Sequence, residues 1–445
     1  MSSRRIILVL LLLTSLAQAQ VFEMPLPEAE KQALGFSERL KSFTTDEEAA
    51  HQQSEAQFTN LLPKLSLQGG YTYYGTIPEI SVVPGQPAFP FGTHNTYSIG
   101  PMLSYTLWDS FANSKSYDSS ERLAQARRQD RLNAELQLLL NLRSAYVAVQ
   151  LGTEELRLIY ESLKLARAQE KDVQSRLSAG AAARIDLLTA KRSVLNYEIE
   201  FNRRQSQLTS SLKDLLALTG RTLAGDLTHP GPAGVPGVAV VLKLDPLSLT
   251  LDQETKSKAR IPDDHQPQIK GQLLQAESFH LAGESQSRRQ WPTLQLSGGL
   301  MYSRPNIPNP PQFWQQQVGL TLSMPLFLGD PTPHLSAQQH SQAQSAEHRA
   351  EQTRQDLHRD YFKAQSQLAS LREQRELAVN DVAQSTEAAK LYYQSYKAGK
   401  INLIDVQNAN LQALTSQVNA ARIDAQILNQ SFLLRSISGE EVLHE

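Results

Sequence analysis

Apolar and polar side chains alternate along residues 62–74, LPKLSLQGGYTYY. Leu65, Leu67, Tyr71 and Tyr73 share one parity, and Ser66, Gln68, Gly70 and Thr72 share the other. Side chains point alternately to the two faces of a strand, so this spacing predicts a strand with one apolar and one polar face. Residues 96–108 read the same way, with Tyr97, Ile99, Leu103, Tyr105 and Leu107 opposed to Ser98, Gly100, Ser104 and Thr106. Two more strands are expected at about 291–303 and 316–327. The third has the apolar row Leu294, Leu296, Leu300 and Tyr302. The fourth sets Val318, Leu320, Leu322, Met324 and Leu326 against Gly319, Thr321 and Ser323. Each runs about ten residues or slightly more, enough for a tilted strand to cross a hydrocarbon core. A half-buried sheet in a water-soluble domain shows the same alternation, so the strands alone leave both readings open. The connections at 75–95 and 304–316 are long and rich in Pro and aromatics, as suits surface loops.

Between the strand pairs the period changes. Residues 113–178 contain no Pro and a single Gly, Gly152, and a second such run covers about 334–397. Some 65 helical residues would extend roughly 100 Å, whereas an ordinary helix has about 11 residues. The apolar positions recur every seven residues, in two rows. Leu142, Val149, Leu156 and Leu163 form one, and Leu151, Leu158 and Leu165 the other. Near the C-terminus, Ile404, Leu411, Val418, Ala425 and Phe432 run beside Val406, Ala413, Ala420, Ile427 and Leu434. Leu187, Val194, Phe201, Leu208 and Leu215 make a further row. A two-stranded coiled coil needs one seam. Two rows offset by two positions lie about 200° apart on a helix that turns about 100° per residue. Such a helix has a neighbour on each side, like a stave in a closed ring. A helix inside a thick bundle would instead be apolar all round, and here the remaining positions are polar.

The chain also repeats itself. Gly180 and Asp186 in SAGAAARIDLL correspond to Gly399 and Asp405 in KAGKINLIDVQ, at an offset of 219 residues. Gly220 and Gly439, each expected as a left-handed helix cap, share that offset, as do Ile99-Gly100 and Val318-Gly319. The first strands are offset by 229, which leaves the second copy's external loop about ten residues shorter. The expected organisation is therefore a first repeat at 20–227, a linker at 228–267 and a second repeat at 268–445. Helical hairpins are expected at about 112–219 with a tip near 180, and at about 334–438 with a tip near 399. A pre-strand helix is expected at about 268–290; its counterpart before Pro63 looks less regular.

The first nineteen residues add a compartment. Arg4 and Arg5, the short apolar run from Ile6 to Leu13 and Ala17-Gln18-Ala19 make up a secretory signal peptide. Its apolar run is too short to span a bilayer. No later segment reaches 18 consecutive apolar residues, so no transmembrane α-helix is expected. The chain has no Cys, which excludes disulfides, thiolate metal sites, a Cys nucleophile and the acylated Cys of a lipoprotein. The formal charge is −2, and removal of Arg4 and Arg5 with the signal makes it −4, which does not suggest a nucleic-acid partner. The ten His residues form no H-E-x-x-H or other recognised ligand spacing, and no G-x-S-x-G or Walker-A motif occurs. An enzyme is not expected, nor any cofactor or metal. Only five Met are present, so a copper-specific duct gains no support.

The duplicated strand pair, RLSAG at 176–180, IDLLTAK at 185–191 and AGKINLIDVQNANL at 398–411 together make the chain resemble the TolC family of outer-membrane efflux proteins. The resemblance covers essentially the whole chain after the signal. It implies a mixed, mainly α fold: four membrane β-strands per chain plus long periplasmic coiled-coil helices. It implies a homotrimer, with a 12-stranded β-barrel in outer-membrane lipid continued by an α-helical barrel. Four strands cannot close a membrane barrel by themselves, which asks for an oligomer independently. The family's partners are a periplasmic adaptor protein and an inner-membrane pump of RND, ABC or major-facilitator type. By position, the resemblance makes Arg176, Leu177, Ser178, Ala179, Gly180, Tyr396, Lys397, Ala398 and Gly399 candidates for the periplasmic tip that meets the adaptor.

Relatives carry acidic residues at the closed periplasmic end. Asp405 matches the first of these, Asn408 stands where some have a second, and Asp186 is the equivalent in the first copy. Three such carboxylates around an axis would attract cations and raise one another's pKa. Tyr396 matches a position used in tip-closing hydrogen bonds. The arginine that relatives often place two residues after the turn glycine is Ile401 here, so that particular bond is not expected. The function implied is passive conduction from periplasm or pump to the exterior, in efflux or type I secretion, gated at the tips. The alternative is a periplasmic coiled-coil scaffold without a pore, which explains the helices but leaves four amphipathic strands without a purpose.

Overall fold

The computed structural model describes residues 20–80, 87–221, 229–235, 238, 240–254, 260–326, 329 and 331–439. The expected signal segment lies outside them, as do part of the expected linker and Phe327, the end of the expected fourth strand. In chain order the elements are β1 (Gln20–Glu23), α1 (Leu26–Phe36), α2 (Glu38–Phe58), β2 (Lys64–Tyr73), β3 (Glu79–Ile80), β4 (Phe89–Pro90), β5 (Asn95–Trp108), α3 (Ala112–Ser178), α4 (Arg184–Thr219), β6 (Pro230–Gly231), β7 (Val240–Lys243), α5 (Leu247–Glu254), α6 (Pro267–Arg288), β8 (Thr293–Arg304), β9 (Phe313–Ser323), α7 (Thr332–Lys397) and α8 (Leu403–Ser438). The helices dominate, and α3 and α7 have 67 and 66 residues. Two compact units draw on both halves of the chain. One comprises the described residues within Met1–Lys41, Asn133–Gln266 and Gln355–Glu445; the other comprises those within Ser42–Leu132 and Pro267–Arg354.

The second unit holds a four-stranded antiparallel sheet in the order β2-β5-β8-β9. Directly paired residues share a face, and the register gathers the apolar rows on one side. Leu65 pairs Leu103 and Tyr71 pairs Tyr97. Tyr105 pairs Leu296, and Leu296 pairs Leu320 in turn. The other face carries Ser66, Gln68, Ser104, Ser297, Gln317 and Thr321. A β-bulge at Leu107 shifts the register, so Trp108 rather than Leu107 continues the apolar row, opposite Leu294. Strand β9 ends at Ser323, which leaves the expected strand residues Met324 and Leu326 beyond it. Among the described residues nothing covers the apolar face: Leu67, Tyr71, Val318, Leu320 and Leu322 are all exposed.

Small residues let the helices below the sheet approach closely. Ser119 Oγ and Ser278 Oγ each donate to the other residue's carbonyl at 2.8 Å, joining α3 to α6. Ser285 Oγ donates to the Ala112 carbonyl at 2.8 Å. Helix α2, expected to be irregular, is continuous for 21 residues.

In the first unit the heptad rows are the core. Leu142, Val149 and Leu156 are fully buried with Leu208 and Leu215 of α4, and they close over Phe22 and Met24 from β1 and Val240 and Leu242 from β7. Burying a side chain of this size stabilises by about 1.5–3 kcal/mol. Phe432, Ile427 and Leu434 of α8 pack with Tyr361, Leu368 and Leu371 of α7. The expected linker contains regular structure: β7 is the centre of a parallel sheet, β1-β7-β6. A buried polar knot fastens it to α3. Tyr146 Oη donates to the Met24 carbonyl at 3.0 Å and accepts from the Asp245 amide at 3.0 Å. Asp245 Oδ2 accepts from the Leu26 amide at 3.0 Å. Glu155, also buried, accepts from Arg204 of α4 and, at 2.8 Å, from Arg422 of α8. It thereby ties helices from both halves of the chain to α3.

Tyr146→Phe keeps the ring and removes the hydroxyl, leaving the Met24 carbonyl and Asp245 amide without that partner. Loss of about 1–3 kcal/mol is expected, read as a lower melting temperature of the helical circular-dichroism signal. An unchanged melt would show that the knot contributes nothing.

Candidate functional site

The two hairpin turns are built alike. Helix α3 ends when the Gly180 amide donates to the Leu177 carbonyl at 3.0 Å and the Ala181 amide to the Arg176 carbonyl at 2.8 Å. Helix α7 ends with Gly399 to Tyr396 at 2.9 Å and Lys400 to Ser395 at 3.0 Å. This is the paired bonding of a Schellman cap, which needs a left-handed residue. Gly180 and Gly399 supply it with φ of 72° and 73°. The outgoing helices are started by the two aspartates. Asp186 Oδ2 accepts from the Ala183 amide and Asp405 Oδ2 from the Asn402 amide, each at 3.3 Å. A carboxylate in the first turn satisfies an otherwise orphan donor and suits the positive end of the helix. Geometry therefore assigns both residues a capping role, with each side chain still half-exposed.

The turns converge on one apolar cluster. Val173, Leu187 and Ala190 of the first hairpin pack with Tyr396, Leu403 and Val406 of the second, flanked by Leu177, Tyr393 and Ile401. Polar links cross the same junction. Arg176 Nη1 donates to the Lys397 carbonyl at 3.3 Å, while its Nε donates to Asp172 Oδ2 at 3.2 Å. Tyr393 Oη donates to that same Asp172 oxygen at 2.9 Å. Tyr396 Oη reaches Asp186 Oδ2 at 3.5 Å, and the Arg176 guanidinium lies over its ring at 5.8 Å. The ammonium of Lys397 lies 4.9 Å from the Tyr393 ring centre. Farther from the turns, Gln407 Nε2 donates to the Thr189 carbonyl at 3.0 Å, and Asn410 Nδ2 to Gln169 Oε1 at 3.1 Å. Burial, together with the neighbouring Asp172 carboxylate, pushes the Tyr393 phenol up to about 12. Burial, with Asp186 beside it, also raises that of Tyr396.

Of the residues singled out from sequence, Arg176, Leu177, Tyr396 and Asp186 are brought into this junction. Ser178, Ala179, Gly180, Lys397, Ala398 and Gly399 are exposed at the turns, available to another molecule. Asn408 is exposed one helical turn beyond Asp405. It lines an open groove of about 770 Å³ between α4 and α8 with Arg192, Ile404 and Leu411. With Ile401 in place of arginine, Tyr396 bonds Asp186 and stacks under Arg176. Sequence reading missed Asp172, Tyr393, Gln407 and Asn410, whose partners stand about 220–240 residues away in the chain. It also missed a second apolar row on α4. Ile185, Leu188, Leu195 and Ile199 keep heptad spacing, yet are exposed, as are Leu165, Ile404 and Leu411.

A model of the outer membrane efflux protein family matches residues 30–221 and 266–440. Among solved structures, the outer membrane protein VceC from Vibrio cholerae aligns with a TM-score of 0.73 at 15% identity, over 93% of this chain and 96% of that one. The outer membrane channel CmeC of Campylobacter jejuni aligns with a TM-score of 0.71 at 17% identity, over 93% and 85%. The MtrE outer membrane channel of Neisseria gonorrhoeae, in an open state, aligns with a TM-score of 0.68 at 18% identity, over 93% and 88%. The fusaric acid resistance protein FusA of Burkholderia cepacia is 27% identical over 173 residues, 37% of this chain. The match spans less than a third of that relative's length.

The Tyr393 environment can be tested directly. The raised phenol favours the protonated form, so its stabilising bond to Asp172 is intact below the ordinary tyrosine range near pH 10 and is lost as pH rises through about 12. The difference in phenolate absorbance between wild type and Tyr393→Phe should titrate with a midpoint near 12. A midpoint near 10 would contradict the burial and the bond.

Proposed function

We propose, from the premise that this chain belongs to the outer membrane efflux protein family, that it is a passive export duct working as a trimer. The family and fold are those of outer-membrane channel proteins, which are not enzymes. The observation that carries the trimeric duct is the four-stranded sheet: among the described residues its apolar face is uncovered, and β2 and β9 have no partner on their outer edges. In lipid an open edge leaves amides and carbonyls without partners. Joining β9 of one copy to β2 of the next is a head-to-tail contact, and such contacts make a ring when the rotation between copies closes. Three copies would make a barrel of twelve strands, with the serines, threonines and glutamines of the polar face lining its interior.

Aromatic positions support the membrane placement. Tyr97, Tyr302 and Trp314 cluster at the loop end of the sheet, while Trp108, Phe111 and Trp291 are exposed at the opposite end. Eleven residue steps separate Tyr97 from Trp108, about 36 Å along a strand. At a tilt of about 40° that is about 28 Å of depth, close to the apolar band of a membrane barrel. The helices carry the same reading below the membrane. The exposed rows on α3, α4 and α8 are the seams through which neighbouring copies would complete an α-helical barrel in the periplasm. In this reading the first nineteen residues are a cleaved signal peptide and the chain is not a lipoprotein. The two repeats, at 20–227 and 268–445, each contribute one strand pair and one hairpin.

Gating is assigned to the tips. The cluster around Tyr396 and the bonds from Asp172, Arg176 and Asp186 hold the two hairpins together. An iris-like opening must break some of them. The exposed residues 178–180 and 397–399 are the surface offered to a periplasmic adaptor, which an inner-membrane pump of RND, ABC or major-facilitator type would drive. Asp405, with Asn408 and Asp186 near it, is proposed to form the acidic constriction. Its capping bond uses one carboxylate oxygen and leaves the other for cations.

The duct should give discrete single-channel currents in planar bilayers, whereas a scaffold without a pore would give none. Asp405→Asn keeps an oxygen for the helix cap, so assembly and conductance are expected to persist. Block by divalent cations should weaken several-fold; unchanged block would remove Asp405 from the constriction.

A further inference from the structure

Helices α6 and α7 flank the strand pair β8–β9, and between them stands a histidine pair that conduction does not use. Nδ1 of His280 and Nδ1 of His340 are 3.3 Å apart. The other nitrogen of His280, Nε2, donates to Glu347 Oε1 at 3.0 Å. A carboxylate only accepts, so the proton of neutral His280 sits on Nε2 and its Nδ1 presents a lone pair toward the second imidazole. The 3.3 Å gap is longer than the usual nitrogen-donor hydrogen bond. It agrees with a different geometry: two nitrogens each about 2.05 Å from one tetrahedral ion stand about 3.3–3.4 Å apart. A carboxylate on the far nitrogen is the customary support of an imidazole that ligates a metal, because it sets the tautomer and makes the ligand more basic.

The surroundings are built to keep the pair in place. A Cβ on Gly283, one turn after His280, would come within 3.1 Å of His340 Nε2, so glycine there leaves room for the ring. Ser336 Oγ donates to the Gly283 carbonyl at 3.0 Å and fixes the spacing of the two helices one turn from His340. The nearby Glu284 is held by Lys115 at 3.0 Å. The His280 side chain is 41% exposed, so an ion has a path in from solvent.

We propose that His280 and His340 bind a divalent transition-metal ion of the imidazole-preferring class, zinc(II) foremost, with Glu347 orienting His280. Among the described residues no three His, Asp or Glu side chains form a ready-made cage. The pair therefore supplies two ligands and water the others, which makes an open, exchangeable site. Imidazole pairs suit zinc, nickel and copper, whereas magnesium and calcium prefer oxygen. Once bound, the ion joins the helix entering the second strand pair to the helix leaving it, and so staples the root of that pair.

The test uses the full-length protein in detergent, stripped with a chelator and exchanged into chelator-free buffer. Titration with zinc chloride by calorimetry should show one saturable site per chain, and magnesium chloride should show none. His280→Ala and His340→Ala should each remove that site. Glu347→Gln should keep the stoichiometry and weaken binding about tenfold or more. Helix content and oligomer migration verify folding of each variant, and His280→Asn with His340→Gln replace the alanine variants if those misfold. Absence of a saturable site in the wild type, or a site unchanged by both histidine substitutions, would overturn the proposal.

Discussion

The backbone of a sheet edge must find partners, and in hydrocarbon water cannot provide them. That requirement governs this molecule. Among the described residues, strands β2 and β9 each pair on one side only, and the apolar face between them is uncovered, with Val318 83% exposed. In water this would be an aggregation hazard. In a membrane, the same two features become a lipid-facing wall and a pair of adhesive edges. The polar face follows from the same alternation, because a strand that presents leucine to lipid on one side presents serine, threonine or glutamine to the opposite side.

The helices meet a related demand by other means. Their backbones are self-satisfied, so their pairing is decided by side-chain rows. Leu142, Val149 and Leu156 are buried against α4 and the small parallel sheet, while Ile185, Leu188, Leu195 and Ile199 are left facing outward. In the proposed assembly, the row left open on such a helix is the seam that a neighbouring copy would cover. At the tips the balance changes. The cluster around Tyr396 is small and is bounded by individually modest bonds, such as Tyr396 to Asp186 at 3.5 Å. The proposed gating requires this junction to part while the hairpins behind it stay folded.

Much of the fold was legible in the residues. Alternation located the strands, because Leu65-x-Leu67 or Leu320-x-Leu322 has one compatible geometry. Freedom from Pro and a seven-residue period located α3 and α7, and the glycines at 180, 220, 399 and 439 marked helix ends by their conformation. What stayed hidden depended on distance in the chain. The β1–β7 pairing joins Gln20 to Val240, and four-residue strands carry too little pattern to announce a partner. The bulge that exchanges Leu107 for Trp108 is set by register with β8, not by local composition. At the tip, Asp172 looks like half of an i, i+4 pair with Arg176; only the fold brings Tyr393 to it. The histidines at 280 and 340 are sixty residues apart and match no ligand spacing, so their meeting is a product of the α6–α7 packing alone.

The most direct measurement is whether β9 of one chain lies beside β2 of another. The chain has no Cys, so single cysteines placed on exposed residues of the two edge strands can react only with each other. In outer membranes, oxidation of a variant with one Cys in β2 and one in β9 should yield a covalent closed trimer, and the single-Cys variants should yield none. A protein that stays uncross-linked, and that elutes as a compact water-soluble monomer without detergent, would contradict the closed cylinder and the duct that depends on it.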